Sequence, residues 1–276
     1  MSNDMTTRED QLPDYLREFA KERIGNIDSS DLVIPRVKLM QALSPELIKF
    51  NNAKVGTFWQ TIASENMGEE LLAIPIVIKK IYVLWAPRGD DRMILARASD
   101  GKHWDVPDLE FTVKRDGSPT PITYRLGKTV KENGMDDFGS SIPGDPRSIP
   151  AASLTYNMLW YFPEFPELSP SVIINTRSGV APMRQLLSKI EAKSVAHYAQ
   201  MFTIGAVQQQ GPKGTFYNYS YTGAGFADKE TCSITKALYD KYKEVEWKAS
   251  EESADTPDSD SFRAGRQPTE ADNQKY

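Results

Sequence analysis

LLAIPIVIKKIYVLW, residues 71–85, is dense in β-branched and aromatic side chains and apolar on both faces until Lys79 and Lys80 interrupt it. That composition belongs in a strand. A strand of this length is expected to bend or change partners midway, as strands of small barrels do. APRGDD (86–91) reads as a short loop after it, MILARAS (93–99) as a further strand, and SDG (99–101) as a turn. Segments 71–85 and 92–98 are therefore expected to pair antiparallel.

The β signal extends outward. LVIPRVKLMQ (32–41), with Pro35, suits an edge strand. VGTFWQTIA (55–63), LTYNMLWYF (154–162) and SVIINTR (171–177) are strand-like, and HYAQMFTIGAVQ (197–208) with GTFYNYSYTG (214–223) forms a second hairpin candidate around QQGPKG. Helices are expected over 13–24, over 181–193 with Met183, Leu186, Leu187 and Ile190 on one stripe, and over 228–248. The last has Asp228 as N-cap and a face of Ile234, Leu238, Tyr242 and Val245. Residues 114–150, rich in Gly, Pro, Ser and Asp, read as a long, irregular and mobile insertion with one short strand at 122–125. Residues 249–276 contain no Ile, Leu, Val, Met or Trp and are expected to be disordered. The division is an N-terminal arm with a short helix (1–30), one β-rich domain (31–248) and an acidic tail (249–276).

Of the 276 residues, 39% are hydrophobic and 26% charged, which is ordinary for a globular protein. No run of about 18 apolar residues is present, so no transmembrane helix is expected. MSNDMTTREDQLPDYL has neither a basic start nor an apolar run, so no secretory leader is expected. A single cysteine, Cys232, forms no internal disulfide, and no Cys/His cluster suits zinc. These features suggest a cytoplasmic protein. The net charge is −5, yet residues 1–30 carry −3 and residues 249–276 carry −4, leaving the body at +2. An acidic pI therefore does not exclude a polyanionic ligand.

Enzyme signatures are absent: no GxxxxGK[ST], GxGxxG after a strand, GxSxG or HExxH occurs. His103, His197 and Cys232 lack partners at recognisable spacing, and Asp90–Asp91 and Asp136–Asp137 read as solvated loop pairs. No catalytic activity, metal or cofactor is expected. What remains is aromatic and basic side chains interleaved on strands. Period-2 geometry puts Tyr217, Tyr219 and Tyr221 on one face and Phe216, Asn218 and Ser220 on the other, with Lys213 at the entrance. Bases stack on such rings at about 1–3 kcal/mol each, whatever the sequence. Packing of the three rings against the core is the competing reading. A second cluster holds Lys79, Lys80, Tyr82, Trp85, Arg88, Arg92 and Arg97. Aromatics for bases with Lys and Arg for phosphates is the recipe for single-strand binding.

The order IPRVKLMQALSPE (34–46), AKVGTFW (53–59), LAIPIVIKKIYVLWAPRGD (72–90), SDGKHW (99–104) and GTFYNYSY (214–221) resembles a group of tailed-bacteriophage single-stranded DNA-binding proteins over about residues 32–225. The resemblance implies a modified OB-fold, here an elaborated antiparallel barrel with marginal helices. It also implies sequence-tolerant binding of single-stranded DNA in replication or recombination. Replication or recombination proteins recruited by the acidic tail are the expected protein partners. The rival expectation is a structural or assembly protein whose aromatics form protein interfaces.

Overall fold

The computed structural model describes residues 34–86, 94–114, 120–142, 144–211 and 214–245. Their strands, in chain order, are β1 (Val37–Leu39), β2 (Phe58–Gln60), β3 (Glu65–Gly68), β4 (Glu70–Trp85), β5 (Ile94–Ala98), β6 (Glu110–Val113), β7 (Ile122–Arg125), β8 (Ala152–Tyr161), β9 (Ser171–Thr176), β10 (Gln200–Gly211) and β11 (Gly214–Phe226). The helices are α1 (Glu46–Lys49), α2 (Val180–Glu191) and α3 (Lys229–Tyr242). The helix expected at 13–24 and the tail at 249–276 lie outside the described residues.

Strand β4 organises the molecule. Along one edge it pairs with β8 from Ile74 to Leu84. Along the other it pairs with β10 through Glu70–Ala73 and with β5 through Tyr82–Trp85. The long strand thus changes partners midway, and both expected hairpins form antiparallel. Lys79 and Lys80 fall in the stretch between the two edge partners, where β4 has no described ladder on that side. Lysines suit such an exposed edge because they resist strand addition.

A register shift between Pro75 and Val77 marks a bulge. Before it, Leu71 and Ala73 face one core while Ile74 faces another; after it, Val77 joins Ile74 and Ile78 turns to the first core. One extra residue inverts the alternation, and it does so at a proline that cannot donate to a ladder. His197 Nε2 lies 2.8 Å from the Ile76 carbonyl oxygen, in the geometry of a ring N–H donating to it.

The main sheet runs β11-β10-β4-β8-β9, with β5 beside β4; β1-β2-β3 and β6-β7 form separate sheets. One core, including Phe58, Leu71, Trp160, Phe162, Leu186 and Phe202, lies between the main sheet, β1–β2 and α2. A second, around Leu84, Trp104, Val113, Tyr124 and Val130, joins β4, β5 and the segment up to Ala152. A third packs α3 on the opposite face of β4.

The architecture is β-rich and antiparallel as expected, and among the described residues none of the sheets closes into the expected OB-like barrel. Between β9 and β1 there is one parallel bridge, Arg36 with Val172. Between the β1–β2 segment and β11 the backbone ladder is replaced by side-chain bonds, described below. The segment expected as a mobile insertion is irregular in course, yet anchored. Ile122, Tyr124, Leu126 and Val130 are buried, and the strand expected at 122–125 is β7, paired with β6. In α3, Asp228 caps the helix by accepting from Thr231 N–H at 2.8 Å. The packed face is Thr231, Thr235, Leu238, Tyr239 and Tyr242, while Ile234 is 41% exposed. The expected stripe is rotated because Thr235 Oγ1 donates to the Tyr198 carbonyl at 2.7 Å, which lets a polar residue face inward.

Candidate functional site

Hairpin β10–β11 outgrows its sheet. Strand β4 covers β10 only as far as Gly205, and from Ala206 to Gly211 β10 pairs with β11 alone. The result is a projecting two-stranded ribbon. Register sets Ile204 opposite Tyr221, Ala206 opposite Tyr219, Gln208 opposite Tyr217 and Gln210 opposite Thr215. These pairs share one face, which runs from the interior to solvent.

Tyr217, Tyr219 and Tyr221 do share that face, but the expectation that all three present open rings to bases is corrected. Tyr221 is 4% exposed, stacks on Trp160 at 6.0 Å and donates to Asn175 Oδ1 at 2.8 Å. Burial raises its phenol well above the ordinary tyrosine value, the neighbouring Tyr219 adds to the rise, and the Asn175 bond opposes it. Tyr219 stacks on Tyr221 at 6.3 Å, and its hydroxyl accepts from Leu39 N–H at 3.4 Å. Burial raises the Tyr219 phenol, with Arg36 and the Leu39 bond opposing. On the opposite face Phe216 is half-buried, and Asn218 is buried and donates to the Ser178 carbonyl at 3.0 Å. The Phe216 ring lies over Gly211, where a Cβ would sit 3.2 Å from it.

Tyr217 is the tyrosine of the three that reaches the rim. It is half-buried, beside exposed Gln208 and within one pair of exposed Gln210 and Thr215. Its ring rests on the loop joining β1 to β2. Gly56 (φ +81°) turns there, and a Cβ at that position would be 2.8 Å from Tyr217 Cε1. Gln41 spans the same seam twice: its Nε2 donates to the Tyr217 carbonyl and its Oε1 accepts from Tyr217 N–H, both at 2.9 Å. A side-chain amide thus occupies the hydrogen-bonding edge of β11. Further along that edge, Asn218 Oδ1 accepts from Tyr219 N–H, and Lys189 Nζ donates to the Tyr221 carbonyl.

The loop is internally braced. Met40 N–H donates to the Thr57 carbonyl and Gly56 N–H to the Met40 carbonyl, each at 2.9 Å. Phe50 packs on Trp59 at 5.0 Å, and Lys38 pairs with Glu46. It presents Lys49 and Lys54 to solvent, together with exposed Leu43, Ile48 and Val55. These loop residues were not singled out by sequence reading. The signal was there in KFNNAKVG (49–56), a basic, Asn-rich turn, but only the fold brings it to the tyrosine strand.

The second cluster divides across the sheet. Tyr82 lies in the second core, so its expected open ring is also corrected, and Lys80 Nζ lies 5.3 Å from its ring centroid. Lys79, on the other face, donates to the Val245 carbonyl. Arg97 is paired with Val83 in register, and with half-buried Trp85 it belongs to that other face. Lys80 with Tyr82 therefore points away from Lys79, Trp85 and Arg97. Arg88, Arg92 and Lys213 lie outside the described residues.

Among the described residues, no group of three or more His, Cys, Asp or Glu side chains is placed to hold a metal ion, and no helix is long and apolar enough to cross a membrane. His103 makes an exposed pair with Asp100 at 2.6 Å. A family model described as Pam3 phage gp34-like protein matches residues 6–248. The chain belongs to the Pam3 phage gp34-like family. That assignment makes it a member of a bacteriophage protein family, and the description specifies neither a ligand nor an OB-fold. No curated protein and no solved structure matches the chain.

Proposed function

We propose that this phage protein binds single-stranded DNA without catalysing a reaction, along the seam between the β10–β11 ribbon and the β1–β2 loop, and serves phage DNA replication or recombination. The observation that carries the reading is Tyr217: a half-buried ring fixed at the rim, flanked by the amides of Gln208 and Gln210 and by a loop bearing Lys49 and Lys54. A partly open ring gives a base a stacking surface, amides hydrogen-bond base edges or sugars, and lysines meet phosphates. Lys213, between β10 and β11 in the sequence, remains a proposed phosphate contact. Residues 249–276, net −4, remain the proposed contact for basic partner proteins. Titrating fluorescent oligo-dT at two salt concentrations tests the reading. Salt-sensitive binding supports it, and no binding at low salt removes it.

Exposed Leu43, Ile48 and Val55 on the same loop favour a second reading, an assembly protein that docks this loop on another chain. Under that reading, Ile48→Asp abolishes association with the partner chain and leaves oligo-dT behaviour unchanged.

A further inference from the structure

We infer that Gln41 is the positioning residue of the proposed binding seam: its amide stands in for a neighbouring strand and holds the Tyr217 ring on the loop. The inference rests on the single-strand reading for its consequence, but the clamp itself rests on geometry.

An edge strand leaves alternate N–H and C=O groups without a ladder partner. Tyr217 presents one such pair, and Gln41 fills both members with two bonds of 2.9 Å. A primary amide has the donor and acceptor disposition of a peptide group, so it can copy one rung of an antiparallel ladder. The rung is specific to glutamine: asparagine is one methylene shorter, and glutamate supplies an acceptor opposite a carbonyl. The clamp is also held at its own base. Gln41 N–H donates to Ser44 Oγ at 2.9 Å, and the adjoining Met40 makes two backbone bonds across the loop neck.

Gly56 is the second half of the device. It lets the loop backbone lie under the Tyr217 ring, where a side chain would collide at 2.8 Å. Gln41 therefore fixes the strand, and Gly56 fixes the depth at which the ring rests. Together they hold Tyr217 half-buried, packed against the first core on one side and beside exposed Gln208 and the loop that carries Lys49 and Lys54 on the other. A ring held before the ligand arrives spares the ordering of a side chain on binding. The amide is thus a determinant of affinity although it need not touch the ligand.

The test uses the full chain with Gln41→Ala and Gln41→Glu, read by hydrogen exchange at the Tyr217 amide and by oligo-dT affinity. Gln41→Ala is expected to speed Tyr217 amide exchange about tenfold or more and to weaken oligo-dT about tenfold, whereas Gln41→Glu, which still accepts from Tyr217 N–H but cannot donate to its carbonyl, restores part of the exchange protection and not the affinity. Unchanged exchange at Tyr217 overturns the clamp. Faster exchange with unchanged affinity overturns the positioning role. If the unaltered protein binds no oligo-dT at low salt, the single-strand reading and the positioning role fall together, while the exchange measurement still decides the clamp.

Discussion

The file of tyrosines on β11 shows how one residue type takes two roles within five positions. Alternation places Tyr217, Tyr219 and Tyr221 on a common face, and that much is legible in GTFYNYSY. Alternation gives parity, not side. Which face is interior depends on Trp160, Asn175 and the β1–β2 loop, all distant in sequence, and so the face read as open is the one that packs. Tyr221→Ala is expected to cost about 3–5 kcal/mol of stability, in the manner of other large aromatic truncations, as measured by denaturant unfolding. Tyr217→Ala should instead lose about 1–3 kcal/mol of oligo-dT binding, with the smaller effect on unfolding. Equal stability losses at both positions would remove Tyr217 from the site. A different residue-scale signature lies at Asp100. Desolvation pushes its carboxyl up, but bonds from the His103 side chain and from the backbone N–H groups of His103 and Lys102 together outweigh this and hold it at about 2. A lowered carboxyl stabilises the fold above the ordinary aspartate range, and the contribution disappears as pH falls through about 2. Solvent screens this exposed pair, so the effect on unfolding is small, and carboxyl titration by NMR is the measurement that checks the value.

At the level of elements, β4 was the most legible part of the chain because its length and composition leave few alternatives. Its change of partner, the β4–β5 and β10–β11 hairpins, the helix near 181–193 and the start of the helix expected over 228–248, which ends at Tyr242, all follow from local pattern. Strands β3 and β6 were not anticipated. ENMG and EFTV are too short for alternation to register, and they form because β2 and β7 offer edges to them. The bulge at Pro75–Val77 was likewise invisible, since proline marks irregularity without saying how the chain resolves it. Its consequence is concrete: the Ile76 carbonyl is met by His197. Replacing His197 with Phe keeps ring packing against Tyr198 and Tyr239 but leaves that carbonyl without its partner. A loss of about 1–3 kcal/mol is expected, read from the urea midpoint. Unchanged stability would mean that the bond contributes nothing net.

For the whole molecule, the decisive property is how cations are distributed over surfaces. The sequence groups Lys79, Lys80, Trp85 and Arg97 as neighbours, whereas β geometry sends them to opposite faces and engages Lys79 with the Val245 carbonyl. Lys49 and Lys54 lie far from the tyrosines in sequence, on the loop whose Gly56 meets the Tyr217 ring. Binding driven by phosphate contacts reports this arrangement through its salt dependence. On a single strand each lost contact lowers the slope of log K against log salt by about 0.7. Lys49→Ala with Lys54→Ala is therefore expected to flatten the slope by about 1.4 if each lysine meets one phosphate, and to weaken every oligonucleotide sequence alike. Lys80→Ala, whose amine lies over the Tyr82 ring, should leave the slope as it is. Lys79→Ala should lower stability through the lost Val245 contact and leave affinity per folded molecule intact. The opposite pattern, with the slope responding to Lys80 and not to the loop lysines, would move the DNA path from the ribbon to the junction around Tyr82. Measuring all three variants across one salt series separates the two paths, because a partly unfolded protein loses amplitude without changing the slope of the folded fraction.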